Sequence, residues 1–186
     1  MFATVDNEIK IVFVGNVGSG KTTSINAISE IPVIGTEVKA TEGDALHRKA
    51  TTTVSMEYGI LHLDDIKLHI YGAPGQRRFD FMASILCQGS SGMLVMIDNG
   101  HENPLNELDY FLQFHGEYLK TKPAIIVVTH YDDNNTDTYL VEYHQYAMQH
   151  GFRCPVVRID ARVADQVKSV VEKLVTEILR RKAKKT

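Results

Sequence analysis

Eight consecutive residues carry the strongest chemical signal in this chain: Gly15-Asn16-Val17-Gly18-Ser19-Gly20-Lys21-Thr22. They fit G-x-x-x-x-G-K-[ST] at every fixed position. They also run straight out of an apolar segment, Ile9-Lys10-Ile11-Val12-Phe13-Val14. The pattern predicts a buried strand, a glycine-bearing loop, and a helix beginning near Lys21. Glycines let the backbone turn its N–H groups around an anion, and the helix N-terminus adds positive potential there. Lys21 would reach the terminal phosphates, Thr22 would place its hydroxyl on a magnesium ion, and Thr23 would open the helix. The alternative is a glycine-rich turn that holds nothing; the strand before the loop and the helical stretch from Thr22 to Ile28 after it argue against that. The stretch reads as a site for a nucleoside triphosphate.

Three further segments are of types that collect at strand ends: Gly72-Ala73-Pro74-Gly75-Gln76, Thr129-His130-Tyr131-Asp132 and Asp160-Ala161-Arg162. In open α/β sheets, ligands bind outside the carboxyl ends of the strands. The intervening elements fit that placement. Strict alternation (Val54, Met56, Tyr58 and Ile60 apolar, Ser55, Glu57 and Gly59 between) predicts a half-buried strand. Asp64-Asp65 reads as a turn, and Ile66, Leu68 and Ile70 as the second strand of an antiparallel hairpin. Met93–Ile97, Ala124–Val128 and Pro155–Ile159 are apolar strands, separated by helical stretches over Phe79–Leu86, Leu105–Leu119 and Tyr139–Met148. Val167, Val170, Val171, Leu174 and Ile178 define the inner face of a last helix. Residues from about 35 to 53 show no sustained period and read as a long functional loop. The expected fold is α/β: a mostly parallel six-stranded sheet with one antiparallel edge strand and helices on both faces.

Composition agrees with one domain over residues 1–186. Apolar content of 44% and charged content of 23% are ordinary for a globular protein. A net charge of −3 argues against a nucleic-acid partner. Cys87 and Cys154 have no metal or redox spacing and read as reduced thiols, and the eight histidines suggest no metal constellation. No leader and no membrane-spanning run is evident, so a cytoplasmic location is expected. The basic run over residues 180–186 could touch acidic lipid at a membrane surface or a partner, although such runs are more often solvated helix ends.

Together and in this order, the four segments resemble those of the Ras-like small GTPases, whose fold is that of the P-loop NTPases, over essentially the whole chain. The resemblance implies GTP and GDP as ligands, Mg2+ as cofactor, and slow hydrolysis of GTP to GDP and phosphate. It also implies a regulatory (activating or exchange) protein and an effector protein. Residue by residue, Gly15 to Thr22 match the phosphate loop. Thr53, nineteen residues before Gly72 as in the Arf branch, matches the switch-I threonine that completes the magnesium shell. Gly75 and Gln76 match the switch-II glycine and the glutamine that orients the attacking water within residues 72–80. Thr129, His130 and Asp132 resemble the base-reading motif, with Asp132 accepting from guanine N1 and N2. Ala161 and Arg162 take the place of the segment that reaches guanine O6. Arg48, with Arg77 and Arg78 beside it as further candidates, could serve as a finger on the γ-phosphate. Lys67 to Gln76 is similar to the bacterial Mgl-type polarity GTPases, and Thr51-Thr52-Thr53-Val54 to relatives of the signal-recognition-particle receptor β-subunit.

The chain departs from the pattern at three positions. Gly72 stands where most small GTPases keep an aspartate that supports magnesium, so the ion should be held more weakly. His130 replaces a lysine, and Val17 fills a position often held by glycine. These departures leave two alternatives beside the switch: a module that holds nucleotide but barely hydrolyses it, and a P-loop ATPase or kinase.

Overall fold

A computed structural model describes residues 7–41, 51–131 and 138–184. One seven-stranded sheet runs through it in the order β2-β3-β4-β1-β5-β6-β7. Its strands are β1 (Glu8–Val14), β2 (Ile34–Thr41), β3 (Thr51–Leu63), β4 (Ile66–Gly72), β5 (Gly92–Asp98), β6 (Ala124–Thr129) and β7 (Val156–Arg158). From β4 to β7 all pairings are parallel, while β3 is antiparallel to both of its neighbours.

The central strand β1 shows why the chain folds this way. Its side chains alternate between two buried faces, so the segment is apolar throughout rather than at every second residue. Ile9, Ile11 and Phe13 enter one core with α1 (Lys21–Ile28) and α6 (Ala164–Ala183). Val12 and Val14 enter the other, with α2 (Asp80–Cys87), α3 (Pro104–Phe114), α4 (Gly116–Thr121) and α5 (Thr138–Gln149). All five apolar residues expected on the inner face of α6 are buried. Gly92 matters to that packing, because a Cβ there would lie 2.8 Å from Ile178 Cδ1 and 3.1 Å from Leu174 Cδ1.

Two features differ from expectation. The sheet has seven strands, not six, because Ile34–Thr41 pairs with β3 in the register Ile34↔Tyr58 to Thr41↔Thr51. Much of the expected loop over residues 35–53 is therefore strand, and β2 rather than the β3–β4 hairpin forms the edge. Ladder hydrogen bonds hold it there, which apolar periodicity does not report. Residues 42–50, which include Arg48, lie outside the described residues, as do 132–137, which include Asp132. The second difference is the face of β3. Glu57, Gly59 and Leu61 are the buried positions, and Met56, Tyr58 and Ile60 are only half-buried. The odd-numbered face lies against α1, where Gly59 lets Ile25 and Ser29 approach to about 3 Å of where its Cβ would be. The even-numbered face carries its own cluster, Tyr58 packing on Tyr71 and His69. The expected helix over Leu105–Leu119 is broken in two at His115.

Candidate functional site

The loop between β1 and α1 is shaped by three glycines with positive φ: Gly15 at 152°, Gly18 at 86° and Gly20 at 90°. Two of them also answer to space. A Cβ on Gly15 would lie 2.3 Å from the Met96 carbonyl oxygen, and one on Gly20 would lie 3.0 Å from the Ala161 Cβ. No side chain caps α1, whose first residues Lys21, Thr22 and Thr23 border a cavity of about 790 Å³. That volume lies within the range of small-molecule sites.

Lys21 is 6% exposed. Its Nζ donates to the carbonyls of Gly15 (2.8 Å) and Asn16 (2.7 Å) and lies 3.4 Å from Ser19 Oγ. Burial pushes its pKa down to about 8, with the charges of Glu57 and Glu107 opposing. Beside it, the Thr22 hydroxyl donates to Glu57 Oε1 at 2.6 Å. Glu57 is 8% exposed, and burial raises its pKa against the hydrogen bond from Thr22 and the charge of Lys21. Its Oε2 has no hydrogen-bond partner among the described residues.

The β4–α2 connection closes over this loop. Gly75 runs so near the phosphate loop that a Cβ on it would sit 2.5 Å from the Val17 nitrogen. Glycine is required here for space, not for its φ. Gln76 borders the cavity, and its Oε1 accepts from Arg78 Nε at 2.9 Å. The guanidinium of Arg78 lies over Phe79, which also borders the cavity, and that of Arg77 lies over Tyr110. Val17, which also borders the cavity, is exposed.

The far end of the cavity is formed by β6 and β7. Thr129 is 1% exposed, and its hydroxyl lies 3.1 Å from the Ser19 carbonyl and 3.2 Å from that of Ile97. His130 adopts φ 51° and places Nδ1 3.2 Å from Asp98 Oδ1. Tyr131, Ile159, Asp160, Ala161 and Arg162 complete this wall. Arg162 donates from Nε and Nη2 to the Asp160 carboxylate, and that bonding holds the Asp160 pKa down to about 2.

The structure thus brings Val17, Gly18, Gly20, Lys21, Thr22, Thr23, Gly75, Gln76, Thr129, His130, Ala161 and Arg162 onto one cavity, with Gly15, Asn16 and Ser19 behind Lys21. Thr53 lies in β3, paired with Lys39. Sequence reasoning missed Glu57 and Asp98. Glu57 looked like the solvent side of an alternating strand, and only its neighbours on the same face, Gly59 and Leu61, hinted otherwise. Asp98 ends a run of apolar residues in β5, the position from which a strand addresses a ligand. Among the described residues, no helix is long and apolar enough to cross a membrane.

Comparison with known proteins adds two findings. Residues 10–132 match the family described as Ras of Complex, Roc, domain of DAPkinase. The chain is also 34% identical over 93 residues to the uncharacterised protein MJ1339 of Methanocaldococcus jannaschii, covering 50% of this chain and 52% of the other. It spans about half the length of that curated relative.

Proposed function

Since this chain belongs to the Ras of Complex (Roc) family of Ras-like GTPase domains, we propose that it is a guanine-nucleotide switch that hydrolyses GTP slowly. The observation that carries the proposal is the cavity itself. It runs from Lys21 and Thr22 at one end, where a triphosphate chain would lie, to Thr129, His130, Ala161 and Arg162 at the other, where a base would lie. In this reading the amides of the glycine loop and Lys21 hold the β- and γ-phosphates. The Thr22 hydroxyl faces Mg2+, a hard cation that suits its oxygen. Asp132 accepts from the guanine N1 and N2 hydrogens, which adenine cannot offer.

Hydrolysis would cleave the bond between the γ-phosphorus and its bridging oxygen by attack of a water that Gln76 orients, giving GDP and phosphate. Gln76 lies at the cavity but spends its Oε1 on Arg78, so turnover depends on freeing it. The residues about 35–53 and 72–80 are the segments that a lost γ-phosphate would release, and Thr53 and Arg48 belong to the first of them. An activating or exchange protein and an effector would read those segments, and the basic end of the chain would offer a peripheral contact to an acidic membrane.

The test is titration of the nucleotide-free protein with fluorescent GDP and ADP. The expected result is a preference for GDP of at least a hundredfold, the scale set when a buried hydrogen-bonding group is left unpaired by the wrong ligand, on the order of 10² or more. Asp132→Ala should remove most of it. Equal affinities for the two nucleotides would refute the guanine assignment.

A further inference from the structure

The residue that family members use to support magnesium is absent from β4, where Gly72 stands, and the space it would occupy is already filled. A Cβ on Gly72 would lie 2.2 Å from Glu57 Oε2 and 2.8 Å from Ile25 Cδ1. Glu57 and Gly72 face each other across the antiparallel β3–β4 ladder. The carboxylate of one strand therefore reaches over the bare backbone of the next.

We infer that Glu57 supplies the carboxylate of the Mg2+ site, delivered from β3 instead of β4, and that Gly72 is glycine in order to make room for it. The inference rests on the nucleotide assignment above and extends it to the metal.

Three observations converge. Glu57 Oε1 already holds the hydroxyl of Thr22 at 2.6 Å, the group that the phosphate loop directs at the cation. Glu57 Oε2 has no hydrogen-bond partner among the described residues, although the side chain is more than nine-tenths buried. A carboxylate buried with one donor is poorly satisfied, and a cation is the partner that relieves it. The Lys21 ammonium, whose positive charge acts on Glu57, donates instead to the carbonyls of Gly15 and Asn16. Finally, Glu57 borders the same cavity as Thr22, so the hydroxyl and the carboxylate present oxygen ligands side by side. Oxygen donors with open space for waters are the set Mg2+ prefers.

A purely structural role would have Glu57 do no more than hold the Thr22 side chain in place. The two roles separate in the release of fluorescent GDP from the intact protein, measured in excess Mg2+ and again after chelation. The set comprises the wild type, Glu57→Gln and Glu57→Ala/Gly72→Asp. In the wild type, Mg2+ should slow release about tenfold or more, the scale on which loss of a supporting group weakens a metal site. In Glu57→Gln, which keeps the shape and can still accept from Thr22, the ratio between the release rates with and without Mg2+ should fall nearly to one. The double variant returns the carboxylate to β4 and should recover the slowing. Electron paramagnetic resonance of Mn2+ added to the GDP complexes reads the metal directly and should show weaker binding in Glu57→Gln. Equal slowing in wild type and Glu57→Gln would overturn the inference, as would a folded double variant that recovers nothing. If GDP binds with the same release rate with and without Mg2+ in the wild type, the Glu57 assignment falls and the nucleotide site stands. A wild type that binds no guanine nucleotide would overturn both.

Discussion

Lys21→Met should separate stability from ligand binding and move them in opposite directions. In the wild type the ammonium is 6% exposed and its pKa is pushed from 10.5 down to about 8. That displacement corresponds to a folded-state penalty on the order of 3 kcal/mol for keeping the charge at neutral pH. Methionine leaves the Gly15 and Asn16 carbonyls without the donor they now have, which takes back part of the gain, roughly 1–3 kcal/mol. Methionine fills nearly the same volume without the charge, so the variant measured without nucleotide should be as stable as the wild type at pH 7, or up to about 2 kcal/mol more stable. The pH dependence is the sharper signature. Below pH 8 Lys21 is protonated in both the folded and unfolded chains, and its penalty is fully present. Between pH 8 and 10.5 the unfolded chain holds the proton more tightly, so wild-type stability gains from Lys21 as pH rises through this window. Lys21→Met lacks that gain, and the difference between the two proteins should narrow or reverse toward pH 10. Urea unfolding of both, at pH 7 and pH 10, measures it, and titration with fluorescent GTP should show binding weakened a hundredfold or more, since roughly 3 kcal/mol of charge-assisted bonding is lost. A variant less stable than wild type by more than about 1 kcal/mol at pH 7, or an unchanged difference at pH 10, would refute the penalty argument. Near-normal GTP affinity would refute the role of Lys21 itself.

Two further outcomes are expected. Without a partner the protein should turn over GTP on the order of 10⁻³ per second or slower, since Arg77 and Arg78 are engaged with Tyr110, Phe79 and Gln76; Gln76→Ala should abolish any rate that a partner adds while leaving GDP affinity within about twofold, which single-turnover assays with and without cell extract will measure. Leu174→Ala, at a fully buried position packed on Gly92, should cost about 2–5 kcal/mol in urea unfolding, and a loss below about 1 kcal/mol would mean that α6 is not docked as described.

The phosphate loop, most of the three other segments at strand ends and most of the strands were legible in the sequence because each leaves a local mark: three glycines and a lysine, a breaker after an apolar run, five apolar residues at helical spacing. What was not legible depended on pairing between distant strands. Thr36, Val38 and Ala40 look like loop residues until β3 supplies the other half of their ladder. Glu57 looks solvated until α1 is laid against the face it shares with Gly59 and Leu61. Gly72 reads as a missing carboxylate when taken alone, and as room for a neighbour's carboxylate once β3 lies beside it.

Thr129 has a consequence for how a ligand is felt as a whole. Its hydroxyl joins the strand that would face a base to the Ser19 carbonyl in the loop that would face the phosphates. A group that fixes one of these ends therefore fixes the other, and fragments of the ligand should not act independently. A nucleoside and a pyrophosphate bound together should favour one another by more than the product of their separate affinities, and the help each gives the other must be equal. Thr129→Val would cut that thread, leaving two half-sites whose contributions simply add.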